Sequence, residues 1–166
     1  MPKDQIFSSA IKYAGIFSFK DFYEFSFKWL KGEMGLTISE EEYEEKLKGN
    51  AKDIKVKWKG TAKVAEYFNF EVGITFEVEG LTEVEINQGG EKIRSNQGKI
   101  KIKITGTLIK DPKNQFETTP TMKMWRGIYE KFIIPSRIKQ YEDKLVGGCD
   151  EYLAQAKAFL DLEGRK

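Results

Sequence analysis

The feature that most constrains the fold is an alternation between Ile54 and Val78. Apolar side chains occupy most even positions: Ile54, Val56, Trp58, Ala62, Val64, Phe68, Phe70, Val72, Ile74, Phe76 and Val78. The odd positions are mostly lysine, threonine, asparagine and glutamate. Successive side chains of a β-strand point to opposite faces, so this stretch writes one apolar face and one wet face. Strands usually run roughly 3–10 residues, so the stretch must fold back on itself. The alternation falters at Ala65 to Asn69, where Glu66 takes an even position. A loop there places Val64 opposite Phe70, Lys63 opposite Glu71, Lys57 opposite Glu77, Lys55 opposite Glu79 and Trp58 opposite Phe76. Three facing pairs of opposite charge favour that register, each contributing about 0.2–1 kcal/mol.

A second clean alternation starts after Gly98. Ile100, Ile102, Ile104 and Leu108 stand against Lys99, Lys101, Lys103, Thr105 and Thr107. Between the two alternations, Gly80, Val84, Ile86 and Gly89-Gly90 read as strand ends and turns, with a short return strand over Glu91 to Ser95. Gly89, Gly90 and Gly98 lack the lysine-serine/threonine ending of a P-loop and the glycine spacing of a dinucleotide fold, so hairpin turns account for them. Asp111 to Asn114 reads as a turn that closes the sheet.

Upstream, Gln5 to Ile16 reads as a first strand. Ser18 then reads as a helix N-cap with Asp21 three residues on. Phe19, Phe22, Tyr23, Ser26, Trp29 and Leu30 recur at helical spacing, which predicts a helix to about Met34 with Gly35 just beyond. Tyr23, Phe25, Phe27 and Trp29 also suit a strand. The aromatics crowded between Phe7 and Trp29 either line a ligand pocket or pack a helix onto a sheet, and aromatics dominate core burial. Leu36 to Leu47 carries Ile38 and Tyr43 among Glu40, Glu41, Glu42, Glu44 and Glu45. Its first part reads as a strand. The acidic run lacks the glycine and alternating ligands of a calcium loop, and reads as a solvated turn or edge. Gly49-Asn50 is a turn.

The C-terminal third is helical in pattern. Pro120 suits a first helical turn. Trp125, Ile128, Tyr129 and Phe132 form one stripe; Ile138, Tyr141, Leu145, Cys149, Tyr152, Ala156 and Phe159 form another. The stripes fall out of phase at Pro135, where a kink or break is expected. Gly147-Gly148 inside the second stripe marks either close packing or a weak point. Cys149 lies on the apolar stripe and reads as a buried, inert thiol. The predicted fold class is therefore α+β: one α+β domain over residues 1–166, an antiparallel β-sheet with an N-terminal helix and a long C-terminal helix packed on one face.

Several function classes are excluded or disfavoured by composition. The chain has no histidine and one cysteine, which rules out Ser-His-Asp and Cys-His catalysis and the common zinc sites. The expectation is a protein that is not an enzyme, with no cofactor and no metal. A single cysteine permits no internal disulfide and favours a reducing compartment. With no long apolar run and no basic-then-apolar leader, the expected setting is cytoplasmic with no membrane span. Net charge is only +2, so bulk electrostatics select no partner.

Two resemblances add to this reading. The element order, strand, helix, antiparallel strands, long C-terminal helix, resembles helix-grip (START-like) domains. Such domains carry two short early helices, whereas this sequence supports one. The resemblance implies a small apolar ligand held between a curved sheet and the C-terminal helix. The chain also resembles small archaeal proteins of unassigned activity that share a Gly-x-Leu-x-x-Asp strand end, here Gly106, Leu108 and Asp111, and a Tyr-Glu-x-Lys-Leu helix, here Tyr141, Glu142, Lys144 and Leu145. That likeness implies a cytoplasmic setting, and the lysine, glutamate and isoleucine-rich strands suit a thermophilic source.

The leading functional reading is a non-catalytic binding module for a small apolar ligand or a protein partner. Its candidate ligand-binding residues are Trp58, Phe76, Ile104 and Tyr141, which should face the helices; the alternative is that they fill the core. A second reading is nucleic-acid binding through the lysine-rich sheet face, disfavoured because Glu71, Glu77 and Glu79 should interleave with the lysines. An assembly or scaffold role is a third. An enzyme using Glu66 as an inward carboxylate is a fourth, and the hairpin loop explains Glu66 more simply.

Overall fold

The structure, a computed structural model, describes residues 3–65, 68–110 and 135–164. Five strands, β1 (Lys3–Ile16), β2 (Thr37–Lys48), β3 (Ala51–Lys63), β4 (Phe68–Gln88) and β5 (Glu91–Lys110), form one antiparallel sheet in the order β1-β5-β4-β3-β2. Helix α1 (Phe19–Glu33) joins β1 to β2, and helix α2 (Pro135–Gly164) follows the sheet. Both helices pack on one face, as an α+β fold requires when the central strands are apolar on one side. The expected turn at Asp111–Asn114, the stripe from Trp125 to Phe132 and Glu66 lie outside the described residues. Pro135 is the first described residue of α2, so the junction expected to kink there is likewise outside them.

Alternation dictates the core. Val56, Val72, Ile74, Phe76, Ile102 and Ile104 are buried between sheet and helices. From α1 come Phe22, Ser26 and Leu30, and from α2 Leu145, Cys149, Tyr152, Ala156 and Leu160. The rings of Phe22 and Phe76 meet edge to face with centroids 5.6 Å apart. The two helices share a buried polar contact, from Tyr152 Oη to Ser26 Oγ at 2.7 Å. That bond matters because an unsatisfied buried hydroxyl costs roughly 1–3 kcal/mol.

Helix α1 begins as its sequence predicts. Ser18 caps it by accepting from the Asp21 amide at 3.2 Å, and Gly35 follows with φ +65°. Helix α2 runs unbroken through Gly147 and Gly148. Gly148 marks close packing: a Cβ there would stand 2.8 Å from Met34 Cε. Gly147 has open space instead.

The β3–β4 register differs from the expected one. Lys55 faces Glu77, Thr61 faces Glu71, Lys57 faces Thr75, Lys63 faces Asn69, Ala62 faces Phe70 and Trp58 faces Ile74. The reversal is earlier than the faltering alternation implies. The Val64 and Ala65 amides both donate to Phe68 O at 3.2 Å, and Phe68 already pairs with Lys110 of β5. Phe68 is 1% exposed, so burying its ring pulls it out of the loop and into the strand. The shift is even-numbered, so every side chain keeps its face. Trp58 and Phe76 still touch diagonally, with centroids 5.0 Å apart.

Two further elements are longer than expected. The Glu91–Ser95 return and the Gly98 alternation are one strand, β5. The acidic segment is strand throughout its length and forms the sheet's β2 edge. Its charges suit an edge, where they discourage pairing with another chain.

Candidate functional site

The four residues expected to line a ligand site do not form one cavity. Trp58, Phe76 and Ile104 are buried in the core. Trp58 is packed by Tyr23, Phe27 and Phe76 at centroid distances of 4.9, 5.8 and 5.0 Å. Ile104 lies in the same cross-strand row as Trp58, with Ile74 between them. Tyr141 stands elsewhere, against Phe68 and Phe70 near the β3–β4 turn, at 4.8 and 6.5 Å. Trp58 and Phe76 are thus brought together, and Tyr141 is separate from them.

An open groove lies beside Trp58, between the first turns of α1 and the sheet. It encloses ≈550 Å³, within the roughly 300–1,000 Å³ typical of ligand sites. Its apolar floor is Phe19, Ile54 and Leu81, and Tyr23 and Tyr43 supply aromatic walls. Glu40, Glu45, Lys20, Lys52 and Asn96 supply polar groups. A few polar groups on an apolar surface are what fix a ligand's orientation.

Irregularities in the strands build this groove. The β2–β3 pairing shifts between Glu40 and Glu42. Before the shift, Glu40 faces Trp58 on the helix side; after it, Tyr43 faces Val56 and Glu45 faces Ile54 on that same side. A bulge adds one residue to one strand and so exchanges the faces beyond it. Without it, Glu42 and Glu44 would turn toward the helices and Tyr43 toward the charged face. A second irregularity lies in β4 between Glu79 and Thr82, around Gly80 at φ +63°. The Asp53 carboxylate accepts the Gly80 amide at 3.0 Å, and the shift turns Leu81 inward. Glycine takes that left-handed conformation without steric cost.

Helix α1 is tied over the groove by β5. Asn96 accepts the Phe17 amide through its carbonyl at 3.0 Å and the Phe19 amide through its side-chain oxygen at 3.2 Å. Phe19 and Tyr23 then project from one face of the helix, four residues apart.

Two tyrosine–glutamate pairs face the groove. Tyr23 Oη donates to Glu40 Oε1 at 2.5 Å, and the Trp58 indole N–H donates to the same oxygen at 3.3 Å. Tyr43 Oη donates to Glu45 Oε1 at 2.8 Å. The Tyr23 phenol is pushed up to about 12, first by burial and then by the hydrogen bond to Glu40 and its charge. Tyr43 is also pushed up to about 12, by burial and then by Glu45. Both phenols therefore hold their protons at neutral pH and act as hydrogen-bond donors, not as bases. Cys149 offers no nucleophile: it is buried, and burial pushes its thiol up to about 12. Among the described residues no group of three or more carboxylates and thiols is placed to hold a metal ion.

A depression of ≈400 Å³ adjoins the groove and shares Lys52, Leu81 and Asn96 with it, and others lie on the far side of the sheet. One of ≈600 Å³ sets Lys12, Lys99 and Lys101 beside Glu77 and Glu79. Tyr13 and Ile100 also line it, whereas the groove under α1 joins two tyrosines to Phe19, Ile54 and Leu81, so the groove under α1 is the stronger site.

Of the groove residues, spacing predicts Phe19 and Tyr23 on the first helix, and Tyr43 and Glu45 in a solvated turn or edge. A phase signal was present. Ile38 and Glu40 are even-numbered, whereas Tyr43, Glu45 and Leu47 are odd-numbered, as a bulge between them requires. No protein-family model, no curated protein and no solved structure matches this chain.

Proposed function

We propose that this protein is a non-catalytic binding module, working in the cytoplasm, whose ligand is a small molecule with an apolar body. The groove between α1 and the β2–β4 end of the sheet is its binding site. The observation that carries this reading is the combination of apolar side chains, Phe19, Ile54 and Leu81, with aromatic walls, Tyr23 and Tyr43, held in place by their hydrogen bonds to Glu40 and Glu45. The groove lies beneath α1, not between the sheet and the long C-terminal helix where the helix-grip resemblance would put a ligand. The lack of histidine and the buried, high-pKa thiol support a role in binding over one in catalysis.

The test is thermal unfolding with short neutral amphiphiles, headed by 1-octanol. A ligand that binds only the folded state must raise its apparent stability. Tyr43→Ala should weaken the stabilisation, because Tyr43 walls the groove, and at 45% exposure its loss removes little core packing. Leu162→Ala, on α2 and 61% exposed, should leave it unchanged. No stabilisation by any probe, or equal stabilisation in Tyr43→Ala, would end the reading.

A further inference from the structure

We infer that the ligand taken by the groove is an organic cation: an apolar body bearing an ammonium group, which sits between Glu40 and the rings of Tyr23 and Tyr43. This inference rests on the groove being the binding site and names the chemistry that the site selects.

Charge is the first argument. Glu40 Oε1 accepts from two neutral donors, the Tyr23 phenol and the Trp58 indole. These bonds hold the carboxylate in place without cancelling its charge. Among the described residues no lysine or arginine pairs with Glu40, whereas Glu45 in the same groove is partnered by Lys52 at 3.8 Å. Lys20, the other cation of the groove, is exposed on the first turn of α1. Its flexible stem lets the ammonium stay in water. The fixed, unpaired charge of the groove is therefore the negative one at Glu40.

Aromatic placement is the second argument. An ammonium over a tyrosine face is attracted by the ring quadrupole, and cages of aromatic rings recognise quaternary ammonium groups in this way. Tyr23 and Tyr43 flank Glu40 on two different elements, α1 and β2. Both are fixed by hydrogen bonds to carboxylates. The bulge between Glu40 and Glu42 is what puts Tyr43 on this side of the sheet. A straight β2 would have offered Glu42 there, with its carboxylate free to fold away into water. An anionic ligand, by contrast, would be opposed by Glu40 and Glu45, with Lys20 as its available counter-charge.

The experiment compares three probes that share one alkyl body: octyltrimethylammonium, 1-octanol and octanoate, each titrated into the full chain and into Glu40→Gln. Glutamine keeps an oxygen to accept from Tyr23 and Trp58 while removing the charge. The expected result is that the ammonium binds at least about tenfold tighter than the alcohol, and the carboxylate weakest. In Glu40→Gln that preference should collapse while alcohol affinity is kept. Equal binding of ammonium and alcohol, or tightest binding of octanoate, overturns the cation inference and leaves the groove as the site. Ammonium binding that ignores both Glu40→Gln and Tyr43→Ala places the cation elsewhere on the acidic surface and also overturns it. Failure of all three probes removes the groove reading itself.

Discussion

The phenol of Tyr23 reaches from α1 to the Glu40 carboxylate of β2, a bond between a helix and an edge strand 17 residues apart in sequence. It joins the helix that overhangs the groove to one of the two strands whose irregularities shape it. Edge strands hold only one ladder of backbone bonds, so such a side-chain tie limits their fraying.

That bond gives a pH signature. Tyr23 titrates near 10 when exposed in the unfolded chain and is pushed up to about 12 in the fold, by burial first and Glu40 next. The folded state thus holds a proton that the unfolded state has released. The stabilisation is fully present below pH 10 and is lost as pH rises through about 12. Urea unfolding across that window should show falling stability, with a shallower fall in Tyr23→Phe. Tyr43, half exposed, should add less, because solvent screens the Glu45 charge. A Tyr23→Phe profile as steep as that of the native chain would contradict the assignment.

The β3–β4 register can be read by a double-mutant cycle. Lys59 Nζ lies 2.9 Å from Glu71 Oε1. In the register with Lys63 opposite Glu71 these two residues would be too far along the strands to meet. A cycle on Lys59→Ala and Glu71→Ala should show a favourable coupling of about 0.2–1 kcal/mol. Coupling absent at this pair but present between Lys57 and Glu77 would restore the other register.

Three glycines in or against α2 separate conformational cost from packing. Gly147→Ala meets open space and should stabilise the fold by up to about 1 kcal/mol, through helix propensity. Gly148→Ala meets the flexible end of Met34 and should gain less. Gly106 lies beneath the helix, where a Cβ would already stand 3.2 Å from Cys149 Sγ and Leu145 Cγ. Gly106→Val should therefore destabilise by about 1–3 kcal/mol through overpacking. Chemical denaturation of the three variants gives the order directly, and a stabilised Gly106→Val would mean that α2 can lift off β5 at little cost.

The lysine-rich face should not bind nucleic acid tightly. Following the pairing across the sheet, Lys12, Lys101, Glu77, Lys55 and Glu44 stand in one row. Lys59 is bridged to Glu71, and Glu42 approaches Lys57 at 4.0 Å. Alternating signs cancel one another beyond a Debye length of about 8–10 Å, and the aromatics lie on the opposite face, leaving no stacking platform. Oligonucleotide titrations at physiological salt should give dissociation constants weaker than about 1 μM. Tighter binding that Lys57→Ala and Lys101→Ala both weaken would reverse this reading.

What the sequence determined by itself is local and periodic. The faces of β3, β4 and β5, the cap at Ser18, the end of α1 at Gly35 and the buried stripe of α2 all follow from spacing. Each depends on which neighbours along the chain share a side of the same element. The interleaving of Glu71 and Glu77 between two lysine strands was legible too, because β4 links β3 to β5. What only the tertiary structure decided is how elements meet. The two-residue slip of the hairpin leaves every face unchanged, so periodicity cannot see it; the burial of Phe68 against other elements selects it. The groove has the same origin. Tyr23, Tyr43, Ile54, Leu81 and Asn96 come from five different elements. They converge because two bulges and the Asn96 tie to α1 set angles and phases that no single strand records. A bulge exchanges the faces of everything beyond it, so one inserted residue in β2 decides whether Tyr43 faces the charged side of the sheet or walls the groove.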